Sequence, residues 1–470
     1  MQANNLPVKK VVVIALCSDL YIRNYLSTHA FRELQSSYDI KFLISNQIKD
    51  PAPLYELLRD VPFTTYSMNS GRIKRHFKIF DILMWRYRKR SKTFRFRIKR
   101  TIGFSKFFDH EHSIFERAAK LSWRALRAFF LRMKNTCLID SFLFNPYLSY
   151  HQFMLGKNNT MEVIIDNLNP DLLIFPSQAY DPEGIDLIKI CKQQAIPTLF
   201  LIDNWDNLSS KSIFWEAPTK LGVWGEQSIQ HAAHIQNIPP DRVTAIGTPR
   251  YDNYFSLRAK TLISPYNYPY ILFVGTALEF DELSVLQEMN QIVCDHPKIF
   301  GTTKIIYRPH PWRQGKKKEM PSGLDHVLID SQLEASFLAN DNSLAVQPDL
   351  SYYPALLSNA EFVCGGLTSM LIEANIFNQI FLGLVHDDKR HFTSMDNVYS
   401  NYEHFQGIDT LSGVLLCNDL ANLSNLMLDA MSLKGTLDIN KTDAERQFYY
   451  FHDDTSYQER LKKLVDAFWV

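Results

Sequence analysis

The residues best suited by type and spacing to handle a phosphorylated ligand are Gly365, Gly366, Thr368, Ser369 and Glu373. They lie in the run from Ala360 to Ala374, where an apolar stretch ends in two glycines and hydroxyl residues open the next helical segment. Paired glycines permit close backbone approach, and hydroxyls at a helix start donate to phosphate oxygens. Glu373, one turn further on, is positioned to accept from ribose hydroxyls. A capped helix without a ligand is the alternative for this run. Upstream, Pro309 and Pro311 flank His310 at the end of an apolar strand, with Arg308 and Arg313 on either side. Stiffened strand ends are where open parallel sheets bind ligands, and arginine grips phosphate by paired hydrogen bonds. In the first half, Leu201 to Lys211 runs off a strand end and is dense in polar side chains. Asp203 or Asp206 is a candidate to orient or deprotonate an acceptor hydroxyl, with Asp19 and Asp181 in similar positions beyond strands. A structural turn is the alternative there. His231 and His234, like His110 and His112, have no recognisable third ligand, so no metal is expected.

Positioning these groups requires strands, and strand-length apolar runs alternate with helix-length segments almost throughout. Val11 to Cys17, Ile40 to Ser45, Leu172 to Pro176, Thr198 to Ile202, Leu221 to Trp224 and Val243 to Ile246 read as strands. Leu20 to Leu34, Gly184 to Gln194 and Gln227 to Ile235 read as helices between them. The pattern breaks at 257–270, then resumes with strands at Ile271 to Val274, Lys304 to Tyr307, Val327 to Asp330, Glu361 to Cys364 and Ile380 to Leu384. Such alternation predicts α/β architecture: two Rossmann-like, doubly wound domains facing across a cleft. The expected domains are 1–256 for the acceptor, 257–430 for the nucleotide donor, and closing helices over 431–470.

Residues 72–134 do not fit the alternation and read as a basic, helical insertion in the first domain. The chain has 470 residues and a formal charge of +1, which argues against a polyanionic partner. That total conceals a division. Arg72 to Arg100 holds thirteen Lys or Arg against Asp81, a net +12, so the rest of the chain carries −11. Phe77, Phe80, Trp85, Tyr87, Phe94 and Phe96 are interleaved with those bases. Bases among bulky apolar residues suit an anionic membrane surface, each adding about 1 kcal/mol. A helix with a structural apolar face is the alternative; a nucleic-acid patch is disfavoured by the acidic remainder. The stretch Ile114 to Met133, with Trp123, Phe129 and Phe130, either extends such a surface or packs on the first domain. No apolar run approaches the roughly 18 residues that span a bilayer. Six scattered cysteines without a CxxC pair suggest reduced thiols, and the expected location is cytoplasmic, peripheral on the inner membrane face.

Two further motifs carry a resemblance. Trp224-Gly225-Glu226 closes a strand, and Pro239, Arg242, Val243, Gly247, Pro249, Arg250 and Asp252 come after it at fixed spacing. This region resembles the interdomain segment of GT-B glycosyltransferases, particularly the CDP-glycerol glycerophosphotransferase branch. That branch also places a His-Pro pair and a Ser/Thr-rich helix start in its second domain, where His310-Pro311 and Gly365 to Glu373 stand here. The resemblance covers roughly Asn169 to Leu384. It implies a nucleotide-activated donor on the second domain, an acceptor on the first, and transfer with neither an obligatory metal nor a cofactor beyond the donor substrate. The chain departs from the pattern at Phe381, where a second glutamate would stand, and at Cys17-Ser18-Asp19, which replaces a glycine-rich loop. The expected function is transfer of a sugar from a nucleotide-sugar to a surface glycan or lipid-linked acceptor. The alternatives are a CDP-polyol phosphotransferase, a UDP-sugar epimerase and a non-catalytic membrane-associated scaffold.

Overall fold

The computed structural model describes residues 9–49, 52–59, 61–101, 114–310, 323–338 and 352–469. Its chain divides into two compact units. The first comprises 1–95, 131–252 and 448–470; the second comprises 96–130 and 253–447. The last helix, Tyr457–Asp466, thus belongs to the first unit, and the closing segment expected over 431–470 is shared between the two.

The first unit is built on seven parallel strands: β1 (Val11–Leu16), β2 (Asp39–Ser45), β3 (Phe63–Tyr66), β4 (Leu172–Ser177), β5 (Thr198–Ile202), β6 (Lys220–Val223) and β7 (Val243–Ala245). Their order is β3-β2-β1-β4-β5-β6-β7, with Val13 between Lys41 and Leu173. The change of direction beside β1 makes the C-terminal ends of β1 and β4 the natural binding crevice. β1, β4 and β5 are almost wholly buried, as a sheet covered on both faces requires. Tyr457, Leu461, Leu464 and Val465 of the last helix complete the core on one face. That helix begins with a capping box between Ser456 and Glu459.

The second unit has six parallel strands: β8 (Tyr270–Val274), β9 (Lys304–Arg308), β10 (Val327–Ile329), β11 (Val363–Gly365), β12 (Phe381–Leu384) and β13 (Val414–Cys417). Their order is β10-β9-β8-β11-β12-β13. The two doubly wound sheets expected from the alternation are present, with β3 and β13 added at their edges.

The basic segment forms two helices, Ser70–Tyr87 and Lys92–Thr101. Most of their interleaved aromatics pack inside the protein, as the alternative of a structural apolar face has it, while Phe77 is exposed and Trp85 half-buried. Ile79, Phe80, Leu83, Tyr87 and Phe94 pack with Leu155, Ile185, Ile213 and Ile235 in a core cluster. Phe96 is buried too, stacked on Phe392 at 4.8 Å. Part of the charge is likewise internal. Arg72 grips Asp186 at 2.5 and 2.7 Å and donates to the Leu155 and Gly156 carbonyls.

Candidate active site

In the second unit, β8, β9, β11 and β12 end on one side of the sheet, and close backbone approach draws together the loops that leave β8, β9 and β11. A Cβ on Gly365 would lie 2.2 Å from the Val274 carbonyl oxygen. One on Gly366 would lie 2.6 Å from the Thr276 methyl, and one on Gly275 would lie 3.0 Å from the His310 amide nitrogen. A side chain at Gly365 would collide with backbone, and one at Gly366 or Gly275 would crowd its neighbours. His310 therefore stands beside the β8 end that Gly365 and Gly366 also flank. Thr368 and Ser369 lead into the helix Met370–Ile376, and the Ser369 hydroxyl does not cap it.

Two predicted ligand groups are engaged elsewhere. Arg308, 3% exposed, is ion-paired with Asp330 and donates to Gln332 at 2.9 Å and to the Tyr353 hydroxyl at 3.0 Å. That buried ion pair holds Arg308 within the protein. The Glu373 carboxylate is buried and accepts from the Tyr254 hydroxyl at 3.3 Å. Arg313, His110 and His112 lie outside the described residues. Sequence reading missed His386, just beyond β12. It is 5% exposed, its Nδ1 has no hydrogen-bond partner among the described residues, and burial pushes its imidazole below the ordinary range. Nearby in sequence, burial would raise Asp388, but its bonds from His391 and neighbouring amides hold it down to about 2.

The first unit gathers carboxyl groups at the ends of β1, β4 and β5. The helix expected over Leu20 to Leu34 is broken into a short turn, Asp19–Tyr21, a π turn, Ile22–Leu26, and a helix, Arg32–Ser37. The first turn presents Tyr21, and the π turn Asn24, to buried carboxylates. Asp181 accepts from the Tyr21 and Ser177 hydroxyls, each at 2.7 Å, and from the Gln178 amide at 3.0 Å. Asp203 accepts from the Asn24 amide at 2.8 Å. Burial raises the pKa of both above the usual carboxylate range; for Asp203 the Arg250 charge opposes this. Glu183, 4% exposed, is pushed up to about 7 by burial and by the charges of Asp181 and Asp186. A carboxyl that exchanges its proton near neutrality suits general acid–base work.

Of the four carboxylates singled out in the sequence, Asp181 and Asp203 belong to this cluster. Asp206 instead accepts from Ser210 at 2.9 Å and pairs with Lys211 at 3.2 Å. Asp19 accepts from the Lys49 amide at 3.0 Å, tying down the chain after β2. His231 is half-buried, and desolvation lowers its imidazole to about 4.

The motif residues between these features have visible tasks. Gly225 and Gly247 let the returning segment through: a Cβ on either would meet backbone atoms of Phe448 to Phe451 within 2.8 Å. The Trp224 carbonyl accepts from the Phe451 amide at 2.7 Å. Asp252 pairs with Arg460 of the last helix at 2.8 Å, whereas Arg250 lies over the Trp224 and Tyr251 rings.

No family model matches the chain, and no curated protein matches it in sequence. Solved structures do match in fold. A UDP-GlcNAc 2-epimerase from Neisseria meningitidis, bound to UDP-GlcNAc, has a TM-score of 0.52 at 12% identity, covering 97% of this chain and 100% of that one. A putative UDP-N-acetylglucosamine 2-epimerase from Listeria monocytogenes has a TM-score of 0.51 at 11% identity, covering 98% and 97%. The wall teichoic acid polymerase TagF aligns with a TM-score of 0.45 at 11% identity, covering 99% and 90%. The fold is GT-B, as the motifs led one to expect.

Proposed function

We propose that this protein is a GT-B-type transferase that moves a sugar from a nucleotide-sugar to a hydroxyl of a surface glycan or lipid-linked acceptor. The observation that carries the reading is the buried carboxyl cluster of Asp181, Glu183 and Asp203 at the strand ends of the first unit. In this reading Asp203 or Glu183 takes the proton of the acceptor hydroxyl as the new glycosidic bond forms. His310, the Gly365-Gly366 backbone, Thr368 and Ser369 meet the charge that grows on the departing nucleoside diphosphate. Stabilising that developing charge is where such a site gains most. Arg308 acts by bracing the β9 end that carries His310.

Two variants test the assignment after a thermal-shift screen of UDP, CDP, GDP and their sugars has found the donor. His310→Ala lowers turnover on the order of 100-fold at unchanged melting temperature, the typical cost of losing one charge-stabilising group. Glu183→Gln lowers turnover but leaves nucleotide binding intact. Full turnover by His310→Ala with any accepted donor overturns the reading. Silence with every nucleotide favours the scaffold, and transfer of a polyol phosphate, detected by mass spectrometry, favours the CDP-polyol phosphotransferase.

A second reading, a UDP-sugar epimerase, is favoured by the number of carboxyl groups in the cluster. One base suffices for transfer, whereas inversion at a sugar carbon removes a proton on one face and returns one on the other. Proton NMR of the nucleotide-sugar incubated without acceptor separates the two, since only an epimerase converts it.

A further inference from the structure

The helix Ile114–Ile139 exposes an apolar face that nothing in the described structure covers. Trp123 is 67% exposed, Phe129 61%, Leu126 55% and Phe130 53%, and Met133 is exposed as well. Trp123, Leu126, Phe130 and Met133 succeed one another at intervals of three, four and three, so they lie along a single side of the helix. Large aromatic residues at such exposure form a patch that a free soluble surface rarely tolerates. The charge of the helix identifies what covers it. Ile114 to Ile139 contains six Lys or Arg against Glu116, a net +5, and comes after the +12 segment Arg72 to Arg100 in the chain. No described helix is long and apolar enough to cross a membrane.

We propose that this helix lies in the plane of an anionic lipid bilayer, with Trp123, Leu126, Phe129 and Phe130 among the acyl chains. A basic helix with Trp, Phe and Leu on its other side has the composition of an interfacial anchor. The contact thus rests less on the aromatics of Arg72 to Arg100, most of which are core, than on a helix whose aromatics are exposed. A second copy of this chain is a poorer occupant, because pairing two such helices sets +5 against +5. The proposal is independent of the reaction assigned above.

Flotation of the full chain with phosphatidylcholine vesicles, with and without 30% phosphatidylglycerol, tests it. The protein floats with the anionic vesicles, binds the neutral ones at least tenfold less, and loses at least tenfold in 0.5 M salt. Trp123→Ser/Phe130→Ser loses at least tenfold of the anionic binding at an unchanged melting temperature, since both residues are exposed in the free protein. Failure to float, equal binding to both vesicles, or undiminished binding by the double variant overturns the proposal. So does a wild type that is dimeric by light scattering, fails to float, and becomes monomeric on the double substitution; the face then belongs to a second copy.

Discussion

Glu183 and Asp186 lie three positions apart on the helix Pro182–Gln193, and the protein drives them in opposite directions. Burial and neighbouring charge raise Glu183 from 4.5 to about 7. Burial would also raise Asp186, but Arg72 and His76 overcome it and hold the carboxyl at about 2. The signs differ accordingly. Folding favours the protonated form of Glu183, so its contribution is present below pH 4.5 and is lost as pH rises through 7. Glu183→Gln, always neutral, therefore gains stability over the wild type as pH rises from 4.5 to 7, on the order of 2–3 kcal/mol in urea titrations. For Asp186 the contribution is present above pH 3.8 and is lost as pH falls through 2. Asp186→Asn costs about 3 kcal/mol at pH 7, because it leaves the half-buried Arg72 without its charge partner, and the cost shrinks in acid. The place of His310 at a strand end was legible in sequence because two prolines flank it. Glu183 was not, because its raised pKa comes from burial and from the charges of Asp181 and Asp186, and tertiary packing likewise gives Arg308 a partner, Asp330, that no local pattern names.

At the scale of elements, strand-length apolar runs located eleven of the thirteen strands among the described residues to within a residue or two. β3, Phe63–Tyr66, escaped because Thr64 and Thr65 interrupt its apolar character, as befits an edge strand with half-buried residues. The expected helix Leu20 to Leu34 broke because tertiary demand for Tyr21 and Asn24 at the carboxyl cluster outweighed a helical period. The basic helices left two readings open for a related reason: aromatic residues among lysines and arginines look the same whether the apolar side meets lipid or a protein core. Gly365→Ala tests the tight β8–β11 approach. Its Cβ would sit 2.2 Å from a backbone oxygen that cannot rotate away, so the expected loss is roughly 2–4 kcal/mol by denaturant titration, with nucleotide binding weakened in parallel.

Over the whole molecule, the near-neutral total hides strongly basic helices on an otherwise acidic chain, and a single net charge described neither. The division into units obeys contacts rather than chain order, which no composition shift revealed, since 448–470 rejoins the first sheet after nearly two hundred residues of the second unit. Removing 448–470 deletes Tyr457, Leu461, Leu464 and Val465 from the first core and leaves Asp252 without Arg460. Burying four such side chains contributes roughly 6–12 kcal/mol, as much as the net stability of most domains. Limited proteolysis of the truncated chain is expected to digest 1–95 and 131–252 while sparing much of 253–447.

The returning segment also imposes an order on biosynthesis. A ribosome releases residues 96–130 and 253–447, all of the second unit, before it has made the helix that completes the first. The usual vectorial sequence, in which the N-terminal domain finishes first, is therefore reversed. Until Tyr457 to Val465 emerge, one face of the seven-stranded sheet remains open to chaperones, and to aggregation with other nascent chains.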